Sequence, residues 1–322
     1  MRESTDYIAL SAMLHARETL LLTKDRRERM LNSANAQDAL KVLGACGYAL
    51  PQVLTLTSLE QMLAASRTAL YSELLEAAPD RRVVELFALK YDYHNAKVML
   101  KGGNAAQRLL MDGGRYPSAE LADIFAREEF QRFTPTLREG IEQAQEELRT
   151  SGDAQRADLL LDRAYFAELT ALASDSAFLR EYVALLIDTA NLRIRLRLHR
   201  IGRESGLLPL SLLEGGSIPA AALVSGGIST EPYRGSLLAE AAELAAGLAA
   251  SGGSLTAFER ACDDAINEFF DRVQRIPYGE EVLAGYLHAR EAEWTAIRTI
   301  LSGKLSNLDA DTIRARLRRP YC

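Results

Sequence analysis

The segment DYHNAKVML, residues 92–100, has two relatives elsewhere in the chain. DTANLRIRL begins at Asp188 and EWTAIRTIL begins at Glu293, so an acid is followed by Asn or Ala three positions later and by Lys or Arg five positions later. Consecutive copies lie about a hundred residues apart, which is the size of a small domain. The sequence therefore indicates one structural unit used three times. The positions that define it are Asp92, Asn95, Lys97, Asp188, Asn191, Glu293 and Arg298.

An apolar stripe passes through each copy at positions i, i+3, i+7, i+10 and i+14. This spacing keeps one face of a helix against a neighbour for about four turns. Good helix formers dominate the chain, and we find no convincing run of alternating β-branched residues, so an all-α fold of about a dozen helices is predicted. Ser58 followed by Gln61 predicts a capping box at the start of one helix. The stripes are Leu86, Leu89, Tyr93, Ala96, Leu100; Tyr182, Leu185, Thr189, Leu192, Leu196; and Leu287, Arg290, Trp294, Ile297, Leu301.

Each copy also has a related helix before it and a glycine-containing loop after it. The preceding helices share an alanine at a similar distance, at Ala69, Ala164 and Ala265, and new helices are predicted from YPSAEL, SIPAAAL and LDADTI. We expect three helix–loop–helix units of one kind, at residues 1–112, 113–215 and 216–322, divided near 102–117 and 202–219.

Composition excludes several classes of protein. The 322 residues are 48% hydrophobic and 25% charged, which is typical of a globular chain, and the net charge of −6 disfavours a dedicated nucleic-acid binder. Cys46, Cys262 and Cys322 lie far apart without a CxxC pair, which indicates a reducing cytoplasm and no zinc ribbon. The start has no signal pattern and no run of 18 apolar residues exists, so we expect membrane contact only through a partner.

The motif LHARE occurs twice and places a histidine and a glutamate three residues apart on a helix. His15 with Glu18 and His288 with Glu291 could bind a metal if the two helices met. Di-iron bundles use the reverse order, Glu-x-x-His, together with further inward carboxylates, which are not evident here. We therefore interpret LHARE as the trace of the repeated structural unit. The histidines of this chain, His15, His94, His199 and His288, all fall in helices of the repeat type.

No catalytic constellation is recognisable in the sequence. Asp92 with Asn95, and Asp188 with Asn191, have no nucleophile or second base beside them, and KGGNAAQ lacks the GK[ST] of a P-loop. We expect no catalytic, cofactor-binding or metal residues and no cofactor. The repeated acids and bases are interpreted as caps of loops and as fixed helix contacts.

The strongest local charge feature is NLRIRLRLHRIGR. Arg193, Arg197 and Arg200 share one helical face at i, i+4 and i+7. Three interpretations stay open for this face: a solvated surface, a docking surface for an acidic partner, or a contact with acidic elements of the neighbouring repeat. A second basic run, RARLRRPYC, ends the chain and is less specific.

Taken together, these segments resemble the C subunit of the bacterial and archaeal V-type (A-type) ATPases, which is the relative of the d subunit of eukaryotic V-ATPases. The resemblance covers essentially the whole chain, from YIALSAMLHARETLLL and NAQDALKVLGACGY through DYHNAKVMLKG and DTANLRIRLRLHRIG to the ending IPYGEEVLAGYLHAREAEWTAIRTILSGKLSNLDADTIRARLRRPY. Two departures are visible. Ala296 stands where the other copies have Asn, and the region 226–254 is rich in Ala and Gly with little pattern.

The resemblance implies an all-helical, funnel-shaped protein of three similar domains with pseudo-threefold symmetry. Such a protein sits on the cytoplasmic end of the membrane rotor ring, receives the central shaft in its cavity, and has no active site. It links rotation to ATP hydrolysis or synthesis and to translocation of H⁺ or Na⁺. Two other hypotheses are a free-standing helical-repeat adaptor, whose period is usually about 30–45 residues, and a helical metalloprotein binding metal through His15 and His288.

Overall fold

A computed structural model of the chain describes residues 3–202, 204–224 and 227–320, so Cys322 lies outside the described residues. Over those ranges the chain is all-α, as predicted, with fifteen α-helices, six short 3₁₀ helices and no strand. The α-helices are α1 Ile8–Glu18, α2 Lys24–Leu31, α3 Ala36–Val42, α4 Leu56–Ala77, α5 Arg81–Gly102, α6 Ser118–Arg127, α7 Pro135–Ser151, α8 Ala154–Ala173, α9 Ala177–Arg200, α10 Glu204–Ser211, α11 Ala220–Val224, α12 Ala239–Ser251, α13 Thr256–Asp271, α14 Glu280–Leu305 and α15 Ala310–Arg316. The 3₁₀ helices are Ser4–Tyr7, Leu43–Cys46, Gly103–Leu109, Phe130–Arg132, Glu231–Tyr233 and Arg272–Arg275.

Side chains that bond to the first backbone N–H groups determine where several helices begin. The Thr55 side chain accepts a hydrogen bond from Ser58 N, and the Ser58 side chain accepts one from Thr55 N, which forms a capping box for α4. The prediction of a box at Ser58–Gln61 was therefore wrong by one turn. Ser58 occupies the third helical position, where Glu or Gln is usual, so the common spacing of the motif pointed one turn too late.

The repeated segment lies within the three long helices α5, α9 and α14, of 22, 24 and 26 residues. The predicted apolar stripe is buried at every position except Leu100 and Arg290, which are partly buried. The stripe prediction is confirmed because a helix that keeps one face buried for four turns must repeat apolar residues at three- and four-residue spacing.

Each long helix packs against the helices that follow it as well as those before it. Helix α5 contacts α4, α6, α7 and α8, and α9 contacts α8, α10, α12 and α13. The last long helix, α14, packs against the following α15 and also against α1, α3, α4 and α5. The C-terminal part of the chain therefore lies on the N-terminal part. The division into domains 1–112, 113–215 and 216–322 stays a prediction.

Aromatic side chains fill the space where the long helices approach one another. Phe87 of α5 stacks on Tyr182 of α9 at 5.5 Å, and Phe270 of α13 stacks on His288 of α14 at 4.3 Å. Phe270 also meets Tyr182 edge to face at 5.0 Å. Such pairs add to the area that aromatic residues bury, so this cluster joins α5, α9, α13 and α14 in one core.

We expect Leu301→Ala to lower the free energy of unfolding by about 2–5 kcal/mol, because it removes a fully buried side chain and leaves a cavity within α14. Val53→Ala is the matched control, since Val53 is 70% exposed, and its effect should stay within about 0.5 kcal/mol. Urea unfolding followed by circular dichroism measures both. Equal effects of the two changes would contradict the placement of α14 in the core.

Candidate functional site

Asp92 and Asn95 of α5 bind the loop 110–117 that follows this helix. The fully buried Asp92 carboxylate accepts hydrogen bonds from Arg115 Nε at 2.8 Å and from Tyr116 N at 3.3 Å. The Asn95 amide donates to Met111 O and accepts from Met111 N, each at 2.8 Å. Burial raises the pKa of Asp92 to about 6, against the opposing effect of the Arg115 guanidinium. We call these contacts the α5 latch.

Asp188 and Asn191 of α9 repeat the arrangement on the loop 212–219. Asp188 accepts hydrogen bonds from Ser217 N at 3.0 Å and Ile218 N at 3.1 Å. Asn191 donates to Leu213 O at 2.9 Å and accepts from Leu213 N at 2.8 Å. Burial raises the pKa of Asp188, and the two N–H bonds oppose that shift. This α9 latch shows that the shared acid and Asn satisfy a loop backbone that would otherwise be buried without partners.

A glycine makes room for the carboxylate in both latches. A Cβ atom added to Gly114 would lie 2.1 Å from Asp92 Oδ1, and one added to Gly216 would lie 2.1 Å from Asp188 Oδ1. Real atoms do not approach so closely, so each loop needs glycine at this point for its backbone to reach the acid.

Glu293 of α14 binds a loop at the other end of the chain. Its Oε2 accepts from Leu22 N at 2.8 Å, in the loop 19–23 between α1 and α2. Its Oε1 accepts from Tyr48 OH at 2.5 Å and from Arg290 Nη1 at 2.8 Å. This α14 latch contains a longer acid and no Asn, because Ala296 occupies that position. The last long helix therefore holds the loop that follows the first LHARE helix.

The basic residue five positions after each acid joins its long helix to another helix. Lys97 pairs with Asp162 of α8 at 2.5 Å, and Arg298 makes two bonds of 2.7 Å to Glu60 of α4. Arg193, at the same position of α9, is described with its neighbours below. The side chains are partly exposed, and pairs of this kind contribute about 0–1 kcal/mol each, so they orient the helices more than they stabilise them.

The structure brings two of the three predicted arginines of α9 together on acids of α13. Arg193 Nε lies 2.7 Å from Glu259 Oε2, and its Nη2 lies 2.5 Å from Asp263 Oδ1. Arg197 Nη2 reaches Glu259 Oε1 at 2.9 Å although its side chain is 61% exposed. Arg200 is the last residue of α9 and is exposed. A role of this face in docking a partner stays a prediction.

The LHARE histidines each contact another side chain of the protein. His15 Nδ1 lies 3.0 Å from Glu18 of its own helix, whereas the buried His288 Nε2 lies 2.8 Å from Asn267 Oδ1. Burial lowers the pKa of His288 to about 3, and the nearby Lys90 adds to the shift. Within residues 3–202, 204–224 and 227–320, no three His, Cys, Asp or Glu side chains gather in a way that could hold a metal ion. The second LHARE motif thus takes part in helix packing.

Sequence reasoning missed the role of Glu291, which lies beside the aromatic cluster. Its carboxylate accepts from Tyr71 OH at 2.6 Å and Tyr91 OH at 2.7 Å, and Lys90 Nζ lies 2.6 Å away. Burial alone would raise the pKa of Glu291, but Lys90 and the two tyrosine hydroxyls outweigh burial and lower it. The repeat alignment could not find this contact, because Glu291 lies just before the aligned segment and has no counterpart in the other copies.

A cavity of about 270 Å³ lies where the three long helices meet. Its walls combine aromatic side chains with both signs of charge, and residues 316–319 close one side. The two acids that line it, Asp263 and Glu291, already bind arginines, or tyrosines and lysine. The residues of the long helices that line it are Phe87, Lys90, Tyr182, Leu186, His288, Glu291, Ala292, Thr295, Ala296 and Thr299.

Comparisons with known proteins agree on one family. The family model described as ATP synthase (C/AC39) subunit matches residues 10–316. The chain is 24% identical over 326 residues to the C subunit of the V-type sodium ATPase of Enterococcus hirae, covering 98% of this chain and 99% of the relative. It is 26% identical over 272 residues to the C subunit of the A-type ATP synthase of Haloferax volcanii, covering 77% of each. Among the described residues, no helix is long and apolar enough to span a membrane.

We expect Gly114→Ala and Gly216→Ala each to lower the free energy of unfolding by about 1–3 kcal/mol, because the new methyl group displaces the latch carboxylate. Gly247→Ala is the control, since Gly247 lies within α12 with no atom near its added Cβ, and it should stabilise the helix by up to about 1 kcal/mol. Chemical denaturation compares the three variants. A loss no larger than that of the control would show that the glycines are not needed by the latches.

We expect the stability of the protein to fall as the pH drops below 6.5, in part because His288 must be neutral when buried. Its folded pKa of about 3 lies below its ordinary value of 6.5, so the unfolded chain takes up the proton first. The contribution of the neutral His288 to the free energy of unfolding is complete above pH 6.5. It is lost as the pH falls towards 3, at up to about 1.4 kcal/mol per pH unit.

The variant His288→Gln should show a pH dependence that is shallower by about one proton over this interval. Urea denaturation at a series of pH values measures the slope, and the exposed His94→Gln is the matched control. If His288→Gln retains the slope of the unmodified chain, the buried imidazole is not the group responsible.

Proposed function

The chain belongs to the family of ATP synthase (C/AC39) subunits, structural and non-catalytic components of V-type and A-type ATPases, and on that premise we propose that it links the central shaft to the membrane rotor ring. In this role it transmits rotation between ATP hydrolysis or synthesis and the translocation of H⁺ or Na⁺. The proposed partners are the shaft subunits and the rotor ring. The proposed location is the cytoplasmic face of the membrane, which the chain contacts only through those partners.

The observation that carries the proposal is the set of three latches on α5, α9 and α14. Each one bonds a long helix to the loop that enters the next group of helices, and the α14 latch returns to the first loop of the chain. A body closed in this way resists twisting, because rotating one long helix requires breaking buried polar contacts, at about 3–5 kcal/mol where a charge is left unpaired. Transmission of torque requires that stiffness.

We extend the proposal to the shape of the protein. Three similar domains, 1–112, 113–215 and 216–322, would be related by pseudo-threefold symmetry and form a funnel-shaped socket for the shaft. Support comes from the repeated latch chemistry on the three long helices. In this arrangement Arg193 and Arg197 shape the socket by joining α9 to α13, and Arg200 is exposed for contact with a partner.

The experiment that tests the function is a pull-down of the affinity-tagged chain from its own organism under mild detergent. We expect the shaft subunits and the rotor ring to be recovered with it, and complexes lacking the chain to hydrolyse ATP without driving ions across the membrane. Recovery of the chain with neither partner would overturn the proposal.

We expect Arg193→Ala/Arg197→Ala to lower the free energy of unfolding by about 1–3 kcal/mol, since Glu259 loses both of its arginines. In the assembled complex the number of ions moved per ATP hydrolysed should also fall. Arg149→Ala is the control, because Arg149 is exposed and pairs with Glu146 within its own helix. Reduced stability with unchanged coupling would assign the two arginines to folding alone.

A further inference from the structure

The C-terminal segment of the described chain is held mainly by polar contacts. We call residues 314–320 the strap; residues 314–316 are the end of α15, and residues 317–320 continue as an irregular segment across the face of α13. Arg314 pairs with Glu28 at 2.9 Å, Arg318 with Asp263 at 2.5 Å, and Arg319 with Asp271 at 2.8 Å. These ties connect a basic segment to carboxylates of α2 and α13.

The backbone of the strap is bonded to the same two helices. Arg319 N donates to Asp264 Oδ1 at 2.9 Å, and Arg319 O accepts from Asn267 Nδ2 at 3.1 Å. Arg318 O accepts from Arg27 Nη1 at 3.1 Å. Since Asn267 also bonds to His288, the strap is connected through one side chain to the long helix α14.

Cavities surround the strap. The 270 Å³ cavity between the long helices and a second one of about 460 Å³ share Arg27 and residues 317–319 as walls. A third cavity of about 670 Å³ is lined by Arg316 and Arg318. The strap therefore separates these three cavities. Its removal would join them into one space beside α14, which we call the trough.

The physical character of these contacts makes the strap easy to release. The side chains of its ion pairs are between 29% and 52% exposed, and Leu317 is only partly buried. Pairs of this kind contribute about 0–1 kcal/mol each and are screened by salt. A segment with few buried apolar contacts opens at a much lower free energy than the body to which it is attached.

Release of the strap would expose several carboxylates on a surface that also carries Lys24, Arg27 and Arg260. Glu28, Asp263, Asp264 and Asp271 would each lose a contact with the strap, and Asp263 would keep its bond to Arg193. We propose that residues 314–320 are a displaceable strap, and that a basic segment of a protein partner takes its place in the trough beneath it by pairing with the carboxylates of Glu28, Asp263 and Asp271. The strap itself shows what fits: Arg318 and Arg319 on a non-helical segment that follows the helical Arg314. The proposal rests on the proposed function only for the identity of the partner, a component of the shaft or of the ring.

The first test measures opening in the full chain by hydrogen exchange. Backbone amides of residues 314–319 should exchange at least tenfold faster at 0.5 M than at 0.05 M salt, whereas amides within α14 should show no such change. Arg318→Glu/Arg319→Glu should make the strap fast at both salt concentrations, and the exposed pair Arg127→Glu/Arg149→Glu is the control. Protection of the wild-type strap equal to that of α14 would overturn the proposal.

The second test measures the trough with a labelled synthetic peptide of residues 308–320. The full-length Arg318→Glu/Arg319→Glu chain should bind this peptide at least tenfold more tightly than the wild-type chain, whose own strap competes. A peptide with its arginines changed to glutamates should not bind. If the charge-reversed chain shows a released strap but does not bind the arginine peptide, the trough is not a docking site.

The third test separates this proposal from the proposed function. Purified shaft subunits and solubilised rotor ring are added to the charge-reversed chain with its bound peptide, and release of the peptide is measured. Release by one of them identifies the partner. If neither releases the peptide while both still bind the chain, the assignment of the trough to these partners is overturned, but the proposed function stands.

Discussion

One buried hydrogen bond, from Leu22 N to the carboxylate of Glu293, joins residues 271 positions apart and fixes how the two ends of the chain meet. Because of it, the last long helix lies against the first helices instead of ending a linear array. The Tyr48 hydroxyl and the Arg290 guanidinium donate further hydrogen bonds to the same carboxylate. A carboxylate at 2% exposure requires such partners, so the contact specifies one arrangement of the chain ends.

The differences among the three latches follow from where their loops come from. On α5 and α9 the loop comes after only one further short helix and returns close to the long helix, so a short Asp binds its N–H groups and an Asn holds one residue by both backbone atoms. On α14 the loop arrives from elsewhere in the chain. A longer acid reaches a single N–H there, and the position of the Asn is the small Ala296, which is buried.

The parts of the fold that depend on local periodicity could be predicted from the sequence. The long helices and their buried stripes were predictable because a helix buried along one face repeats apolar residues at fixed spacing. The shared acid at 92, 188 and 293 was also visible. That Glu293 binds the loop after α1 was not, because a hydrogen bond across 271 residues leaves no pattern in either segment. The partners of Arg193 were equally hidden, since pairing with Glu259 and Asp263 depends on which face of α13 meets α9.

The polar contacts of the latches and those of the strap differ in how deeply they are buried. The latch carboxylates are almost fully enclosed, so breaking one leaves a buried charge without a partner, which is costly. The ties of the strap are half-exposed, so water and salt can replace them. Asp263 belongs to both sets, because its Oδ1 binds Arg193 of α9 while its Oδ2 binds Arg318 of the strap. A cation that replaces Arg318 would bind the same carboxylate, so the occupant of the trough sets the charge balance beside α9. Exchange of the strap would thereby be connected to α9 through one shared carboxylate.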